Sequence, residues 1–192
     1  MMSLIDLKCQ ESIYITEECC YNDKDNEWLL LGEDHYKRYL VYLFFELPSC
    51  CYISNLNEAR LILFKLPQTK QNDTKLKKTH MRYRVGPLLD FFSIYTCNYS
   101  PVCIDYNQTV TFEDKCCCSY TEIDITPIVK TWIEGKVENK GLLLRGNKNA
   151  PLIIYASNGY RIEGMQPRLR LVYDEPNFCR PLSSVPCTVT VK

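Results

Sequence analysis

The 192-residue chain is built from short runs of β-branched, aromatic and leucine residues, each closed by turn-forming residues. Runs of this kind are typical of strands, and many of them at short spacing with polar turns are typical of a β-sandwich. The predicted strands cover residues 12–16, 27–31, 37–47, 59–66, 90–97, 141–145, 151–156 and 168–173. A chain of this length suits one domain that buries a single core. We therefore predict an all-β sandwich.

One segment predicts a short helix instead of a strand. Thr126 can serve as the N-cap, Pro127 suits the first helical position, and Gly135 suits the end of the helix. The apolar residues between them form one stripe, which consists of Ile128, Val129, Trp132 and Ile133. We expect the helix to close one end of the sandwich and to place Trp132 in the core.

The two ends of the chain differ from the rest. Residues 175–192 begin with prolines that interrupt regular structure, and residues 187–192 alternate like a lone strand. We expect a domain over residues 11–174, an N-terminal tail over residues 1–10 and an extended C-terminal tail after residue 174. A terminal strand either docks on its own sheet or adds to the edge of a neighbouring chain's sheet.

Twelve cysteines, most of them in runs, distinguish this chain from an ordinary sandwich. The runs are Cys19–Cys20, Cys50–Cys51 and Cys116–Cys117–Cys118. Successive side chains of a strand point to opposite faces, so only one member of each run can enter the core. Adjacent cysteines also differ from structural zinc sites, whose ligands are usually spaced C-x(2–4)-C. The runs therefore indicate covalent chemistry at the surface.

Three uses of these cysteines stay open. Buried thiols pack well as small apolar groups, and Cys97, Cys103 and the run 116–118 lie close enough in sequence to gather a soft ion such as zinc. We favour the third use, disulfide bonding within the domain and between subunits, because a repeating assembly supplies close and correctly oriented partners. The candidates for intersubunit disulfides are Cys9, Cys19, Cys20, Cys50, Cys51, Cys116, Cys117, Cys118, Cys179 and Cys187.

The cellular setting follows from two observations on the sequence. High cysteine content is typical of oxidising surroundings, whereas the first residues lack the basic flank and long apolar core of a signal peptide. A protein that is released when the cell around it lyses satisfies both observations. We therefore predict the surface of a bacterial spore, whose coat, exosporium or appendages the mother cell makes without secretion.

Five segments, taken in order, resemble the signature of the DNRLRE domain. They are residues 38–48, 53–63, 123–132, 141–144 and 167–173. In the family's signature the corresponding segments are an apolar strand ending near a proline, I-x-x-A-x-L-x-L, D-V-T-x-L-V-x-x-W, G-L-L-L and P-x-L-x-V-x-Y. The similarity covers residues 11–174. It implies a jelly-roll sandwich like that of carbohydrate-binding modules, found on bacterial surface or secreted proteins, and some relatives bind polysaccharide. It implies no catalytic residues.

The sequence carries no pattern that is typical of catalysis. A cysteine nucleophile needs a nearby base, and the only histidines, His35 and His80, lie in polar segments that we expect to be exposed. Nothing resembles a G-x-S-x-G elbow, a phosphate loop or an H-E-x-x-H helix. We therefore predict that the chain is not an enzyme and has no catalytic residues and no cofactor.

The remaining candidates for ligand binding are polar and aromatic side chains. Asp23, Asp25 and Glu27 gather the oxygen ligands that Ca²⁺ prefers, although the same residues favour a solvated turn, which is the interpretation we prefer. Glycan binding needs exposed aromatic rings, and the fourteen tyrosines offer candidates such as Tyr83, Tyr99, Tyr106 and Tyr160, among which the sequence singles out none.

No membrane or nucleic-acid partner is expected. No apolar run approaches the roughly 20 residues that cross a bilayer. The 23 basic and 23 acidic residues balance, so no overall field attracts nucleic acid or anionic lipid.

These observations favour a structural role. We predict a jelly-roll subunit of a spore-surface layer or appendage filament that self-associates through its tails and is cross-linked by intersubunit disulfides. Its expected partners are copies of itself and other surface proteins. The alternative is a carbohydrate-binding module, with polysaccharide as its partner and all disulfides internal, and a metal-thiolate protein is the third hypothesis. The sequence does not choose among the many pairings of twelve cysteines.

Overall fold

The fold is given by a computed structural model, which describes residues 2–16, 27–34, 37–48, 55–67, 82–91, 103–115 and 117–174. In these residues the strands are β1 (Met2–Lys8), β2 (Glu11–Thr16), β3 (Trp28–Glu33), β4 (Arg38–Phe44), β5 (Leu56–Phe64), β6 (Arg82–Pro87), β7 (Val110–Glu113), β8 (Tyr120–Asp124), β9 (Leu142–Gly146), β10 (Ile153–Ala156) and β11 (Arg168–Asp174). One α-helix, α1 (Thr126–Ile133), lies between β8 and β9.

The strands form two curled antiparallel sheets. The first sheet has the order β1–β11–β5–β8, and the second has the order β10–β3–β4–β9–β6–β7, with β2 also paired to β4. Residues of both sheets pack into one shared apolar core. The prediction of an all-β, jelly-roll-like sandwich with one short helix is therefore confirmed.

The alternation of side chains along each strand decides which residues enter this core. In β5, Ala59, Leu61 and Leu63 are fully buried, whereas Arg60 between them points outward. Full burial of a leucine side chain stabilises the fold by about 1.5–3 kcal/mol. The short strands of mixed polarity can therefore hold together because they supply a continuous apolar face.

The helix α1 packs against β5 and buries Trp132, as the sequence predicts. Pro127 lies in the first turn, but the N-cap position belongs to Ile125 rather than to Thr126. The Thr126 hydroxyl instead accepts a hydrogen bond of 2.8 Å from the backbone N–H of Ala59. The threonine thus ties the start of the helix to the first sheet instead of capping the helix itself.

A second apolar cluster covers part of the outer face of the second sheet. Ile13, Tyr42 and Leu143 point away from the main core, and Leu88 and Ile104 lie over them. Leu88 and Ile104 form an isolated antiparallel bridge just beyond β6. Part of this outer face is therefore buried under the chain itself.

The N-terminal boundary of the domain differs from the expected one. Residues 2–8, which we expected in a tail, form β1 and pair with β11 along its whole length. Ile5 and Leu7 pack against the core, so these residues dock on their own sheet. The domain therefore begins with β1 rather than at residue 11. Apolar and polar residues alternate in this segment, so one face of the strand is apolar and gains free energy by packing on the core. Residues 175–192, expected as the C-terminal tail, lie outside the described part of the chain.

An ion pair helps to hold β1 on β11. The Arg170 guanidinium donates two hydrogen bonds to the Asp6 carboxylate, from Nε at 2.8 Å and from Nη2 at 2.9 Å. These hydrogen bonds lower the pKa of Asp6 below its ordinary value of 3.8, and the charges of Arg170 and Arg168 act in the same direction. The carboxylate is thus favoured in the folded state.

We expect Asp6→Asn to lower the free energy of unfolding by no more than about 1 kcal/mol at neutral pH, since the pair is partly exposed. Because the folded-state pKa of Asp6 lies below 3.8, its contribution is present above that pH and is lost as the pH falls through the folded-state pKa. Urea titrations should therefore show the two proteins converging in acid. Asp90→Asn, at an exposed carboxylate without an ion pair in the described chain, is the control. A difference for Asp6→Asn that persists in strong acid would contradict this assignment.

Candidate functional site

A turn that joins β7 to β8 carries two thiols at the surface. This cysteine turn runs from Lys115 to Ser119, and Cys116 within it lies outside the described residues. Cys117 is exposed and Cys118 is partly exposed, with their Sγ atoms 3.9 Å apart. The Cys118 N–H donates to the Lys115 carbonyl at 3.0 Å and reverses the chain. Cys117 and Cys118 therefore both face outward, because they lie in a turn, where the alternation of side chains along a strand does not apply.

The cysteine turn is held by one lysine that reaches both of its ends. The backbone N–H of Lys65 donates to the Ser119 carbonyl at 2.8 Å, and its Nζ donates to the Lys115 carbonyl at 2.7 Å. The same Nζ lies 2.5 Å from a carboxylate oxygen of Asp114, and the two side chains are only 13% and 8% exposed. The turn is therefore fixed to the end of β5 by a largely buried ion pair.

A chain of hydroxyl groups extends this support into the core. The Thr121 hydroxyl donates to the Asp114 carboxylate at 3.1 Å, and the Tyr155 hydroxyl lies 2.9 Å from the Thr121 oxygen. Burial raises the pKa of Tyr155, so its hydroxyl stays protonated and can donate to Thr121. Residues of β8 and β10 thus fix the carboxylate that holds Lys65.

The pKa of the Cys118 thiol is shifted in the direction opposite to that of a nucleophilic cysteine. Hydrogen bonding to Cys117 is the main cause that raises the pKa of Cys118, whereas the positive charges of Lys115 and Lys65 lower it. A nucleophilic cysteine instead needs a lowered pKa and a neighbouring base. Both histidines of the chain lie outside the described residues, so the prediction of a non-enzyme stays a prediction.

Cys9 lies inside the protein, where the chain passes from β1 in the first sheet to β2 in the second. Its side chain is 7% exposed, and its Sγ donates to the carbonyls of Glu11 at 3.0 Å and Phe44 at 3.5 Å. Burial raises the pKa of this thiol to about 12. A second subunit cannot reach a sulfur in this position, so we remove Cys9 from the intersubunit candidates.

Cys103 and the cysteine turn lie at opposite ends of β6. Leu89, just beyond the last residue of β6, donates its N–H to the Cys103 carbonyl at 3.0 Å. The cysteine turn follows Glu113, which pairs with the first residue of β6, Arg82. The strand rise makes this separation about 20 Å, whereas zinc binds its sulfur ligands at about 2.3 Å.

The zinc hypothesis that groups Cys103 with the run 116–118 is therefore wrong for Cys117 and Cys118. In the described part of the chain, no three metal-ligating side chains come together. Cys97 lies outside that part, together with the remaining cysteine candidates: Cys19, Cys20, Cys50, Cys51, Cys116, Cys179 and Cys187.

The fold also brings together two points that the sequence keeps far apart. The backbone N–H of Asp174 donates to the Asn55 carbonyl at 3.1 Å. Asn55 directly follows the segment that carries Cys50 and Cys51, and Asp174 directly precedes the C-terminal segment that carries Cys179. Two cysteine-bearing segments therefore join the described body at one place. Sequence spacing gives no signal of this proximity, because the hydrogen bond joins residues more than a hundred positions apart.

The predicted calcium ligands are only partly described. Asp23 and Asp25 lie outside the described residues, and the Glu27 side chain is exposed. The carbonyl of Glu27 accepts a hydrogen bond of 3.0 Å from the N–H of Ser157, which extends the pairing of β3 with β10 by one residue.

The tyrosine candidates for glycan binding occupy very different positions. Tyr83 is fully buried and stacks on Phe112 with ring centroids 5.5 Å apart, so its selection as an exposed platform is wrong. Tyr106 is 65% exposed, Tyr160 is half-buried, and Tyr99 lies outside the described residues. Tyr106 is therefore the described candidate whose ring is open to solvent.

Comparisons with other proteins add no assignment to this geometry. Among the helices of the described chain, none has the length and apolar character that crossing a membrane requires. No family model matches the sequence, and no curated protein matches it. The resemblance to the DNRLRE domain thus stays a prediction from the sequence, and the fold shown for this chain is a jelly-roll-like β-sandwich.

Proposed function

We propose that the chain is a structural subunit that assembles with copies of itself and is cross-linked by disulfides between subunits. The cysteine turn carries the proposal, because it presents two thiols at the surface of a body that its own core already stabilises. The buried Lys65–Asp114 pair holds the turn in one place. Such a turn offers a neighbouring subunit a sulfur in a defined position.

The two thiols of the turn are unsuited to bond with each other. An ordinary disulfide joins Cα atoms roughly 4.4–6.8 Å apart, whereas adjacent Cα atoms across a trans peptide are about 3.8 Å apart. Cys9 is buried and Cys103 lies beyond the opposite end of β6. The partner of Cys117 or Cys118 is therefore a cysteine outside the described residues or one on another copy.

The non-covalent contact in this proposal comes from the C-terminal tail. The tail begins after Asp174, the last residue of β11, which pairs with Met2, the first residue of β1. Met2 and Leu4 expose large apolar side chains on the outer face of this edge strand. Residues 187–192 alternate like a strand, so addition of this segment to a sheet edge of the next copy would give a repeating contact.

The proposed setting is the surface of a bacterial spore, as part of a coat, an exosporium or an appendage filament. The cysteine content and the resemblance to the DNRLRE domain support this setting. In such a layer the partners are other copies of the chain and further surface proteins.

The alternative function is a carbohydrate-binding module. The observation that favours it is the exposed ring of Tyr106, which is the kind of surface on which a sugar ring stacks. Saturable binding of a polysaccharide by a monomer whose disulfides are all internal would support this alternative over the assembly.

The test is oxidation of an equal mixture of unlabelled and ¹⁵N-labelled protein with oxidised glutathione as the electron acceptor. We expect species larger than the monomer in denaturing gels without reductant, and their loss after reduction. Bridges between subunits should yield mixed peptide pairs, one labelled and one unlabelled, alongside pairs of a single label. Bridges within a subunit yield only pairs of a single label, because both peptides come from one chain.

The matched variants are Cys117→Ser/Cys118→Ser and Cys103→Ser. We expect the double variant to lose most of the reductant-sensitive species, since it removes the two described thiols of the turn. Cys103→Ser, at the other end of β6, should keep the bridges that form through the turn. Assemblies that dissolve to monomers in denaturant without reductant would refute the proposal, as would bridges whose peptides are never of mixed label.

A further inference from the structure

Two arginines lie directly opposite each other on the outer face of the second sheet. Arg84 of β6 is the register partner of Arg145 of β9. Their neighbours Tyr83, Val85 and Leu144 are fully buried, so both arginine side chains leave the sheet on the outer side. Like charges directly opposite each other destabilise a sheet. A negative charge close to both guanidinium groups would therefore offset the repulsion between them.

The described part of the chain supplies no carboxylate to either guanidinium. Arg84 has a buried Nε–H that meets no hydrogen-bond acceptor. The guanidinium carbon of Arg145 lies 5.1 Å from the centroid of the Tyr106 ring, which is a cation–π contact rather than an ion pair. A buried donor without an acceptor costs free energy until an acceptor reaches it.

Another arginine on the same face of the same strand shows the contrast. Arg82 is two residues before Arg84 and also points outward, but its Nε lies 3.5 Å from a carboxylate oxygen of Glu113 on β7. At the position of Arg84, the cross-strand partner on β7 is Thr111, which carries no charge. The lack of a carboxylate thus belongs to this place in the sheet and not to the strand as a whole.

We propose that Arg84 and Arg145 form a binding site for a small oxyanion with two or more negative charges, such as phosphate, sulfate or citrate. A guanidinium presents a planar fork of donors that matches carboxylate, sulfate or phosphate oxygens. Two forks side by side suit a dianion better than a single charge. Thr111, the register partner of Arg84, and Tyr106, whose ring contacts Arg145, are both exposed.

The proposed oxyanion site has a chemistry independent of the cysteine turn. No thiol takes part in it, and a monomer contains all of its described groups. The negative charges can belong to an oxyanion free in solution or to neighbouring carboxylates of a polymer such as polygalacturonate. The test therefore compares free phosphate, sulfate and citrate with polygalacturonate.

The experiment is titration calorimetry on the full chain at an ionic strength held constant with sodium chloride. We expect saturable binding of phosphate, sulfate or citrate to the parent protein. Arg84→Gln and Arg145→Gln should each weaken this binding by at least about tenfold, because each removes one charged fork. Arg82→Gln is the control, and its affinity should stay within about twofold of the parent.

The variants also report on the fold. Removal of either arginine relieves a like-charge contact, so Arg84→Gln and Arg145→Gln should melt no lower than Arg82→Gln in buffer without polyvalent anions.

Tighter binding of polygalacturonate than of the free anions would place the oxyanion on a polymer, and equal or weaker binding would place it in solution. No saturable heat with any of these probes, or an equal loss in Arg82→Gln, would overturn the proposal.

Discussion

Replacement of Asp114 by alanine should lower the free energy of unfolding by about 3–5 kcal/mol, because it leaves the Lys65 ammonium largely buried without its counter-charge. The two side chains are 8% and 13% exposed, and their charged atoms lie 2.5 Å apart. The Thr121 hydroxyl loses its acceptor at the same time. The expected loss is a large part of the stability of an ordinary domain.

Urea unfolding of the reduced protein measures this effect, and Glu134→Ala is the matched control. Glu134 pairs with Lys136 at 2.7 Å, but both side chains are largely exposed. An exposed pair contributes less than about 1 kcal/mol, so Glu134→Ala should change the free energy of unfolding only slightly. Equal losses in Asp114→Ala and Glu134→Ala would show that burial of the Lys65–Asp114 pair has no energetic consequence.

Replacement of Gly32 by alanine should cost about 3 kcal/mol or more. Gly32 lies in β3 with φ at +111°, a region that residues with a side chain rarely adopt. A Cβ at this position would also overlap the carbonyl oxygen of Pro151. Both the backbone strain and the overlap oppose the substitution, and the backbone at Pro151, which forms a bridge with Glu33, cannot move away cheaply.

Gly135→Ala separates these two causes. Gly135 follows α1 with φ at +68°, and nothing lies within 4 Å of the place that its Cβ would occupy. We expect this variant to lose about 1–2 kcal/mol from the backbone conformation alone. Thermal and urea unfolding of both variants will show whether Gly32→Ala loses more. If the two losses are the same, the contact with Pro151 does not matter.

The strands that the sequence predicts are those with strong apolar patterns. The strands β5, β9 and β11 contain two or three leucines each, and α1 has clear start and stop residues, so local pattern was sufficient for them. The strands β1, β6, β7 and β8 were missed. The sequence of β6, for example, contains two arginines, a glycine and a proline around only two core residues. Such a segment is a strand because β7 and β9 pair with it on both sides.

The cysteine turn illustrates the same limit at the candidate site. Its supporting residues, Lys65 and Asp114, are 49 positions apart, and Tyr155 is further still. Each belongs to a different strand or connection, and no local signal joins them. The opposing arginines Arg84 and Arg145 likewise meet only through the register of β6 and β9.

Composition and periodicity are therefore enough to establish an all-β sandwich with one helix and to draw attention to the cysteines, because strand alternation and helix caps are properties of neighbouring residues. They do not reveal which thiols are accessible. Cys9 is buried because the chain crosses between two sheets at that residue, and Cys117 and Cys118 both reach the surface because the chain turns there. Burial depends on contacts between residues far apart in the sequence, and for that reason it emerges only when the two sheets are packed together.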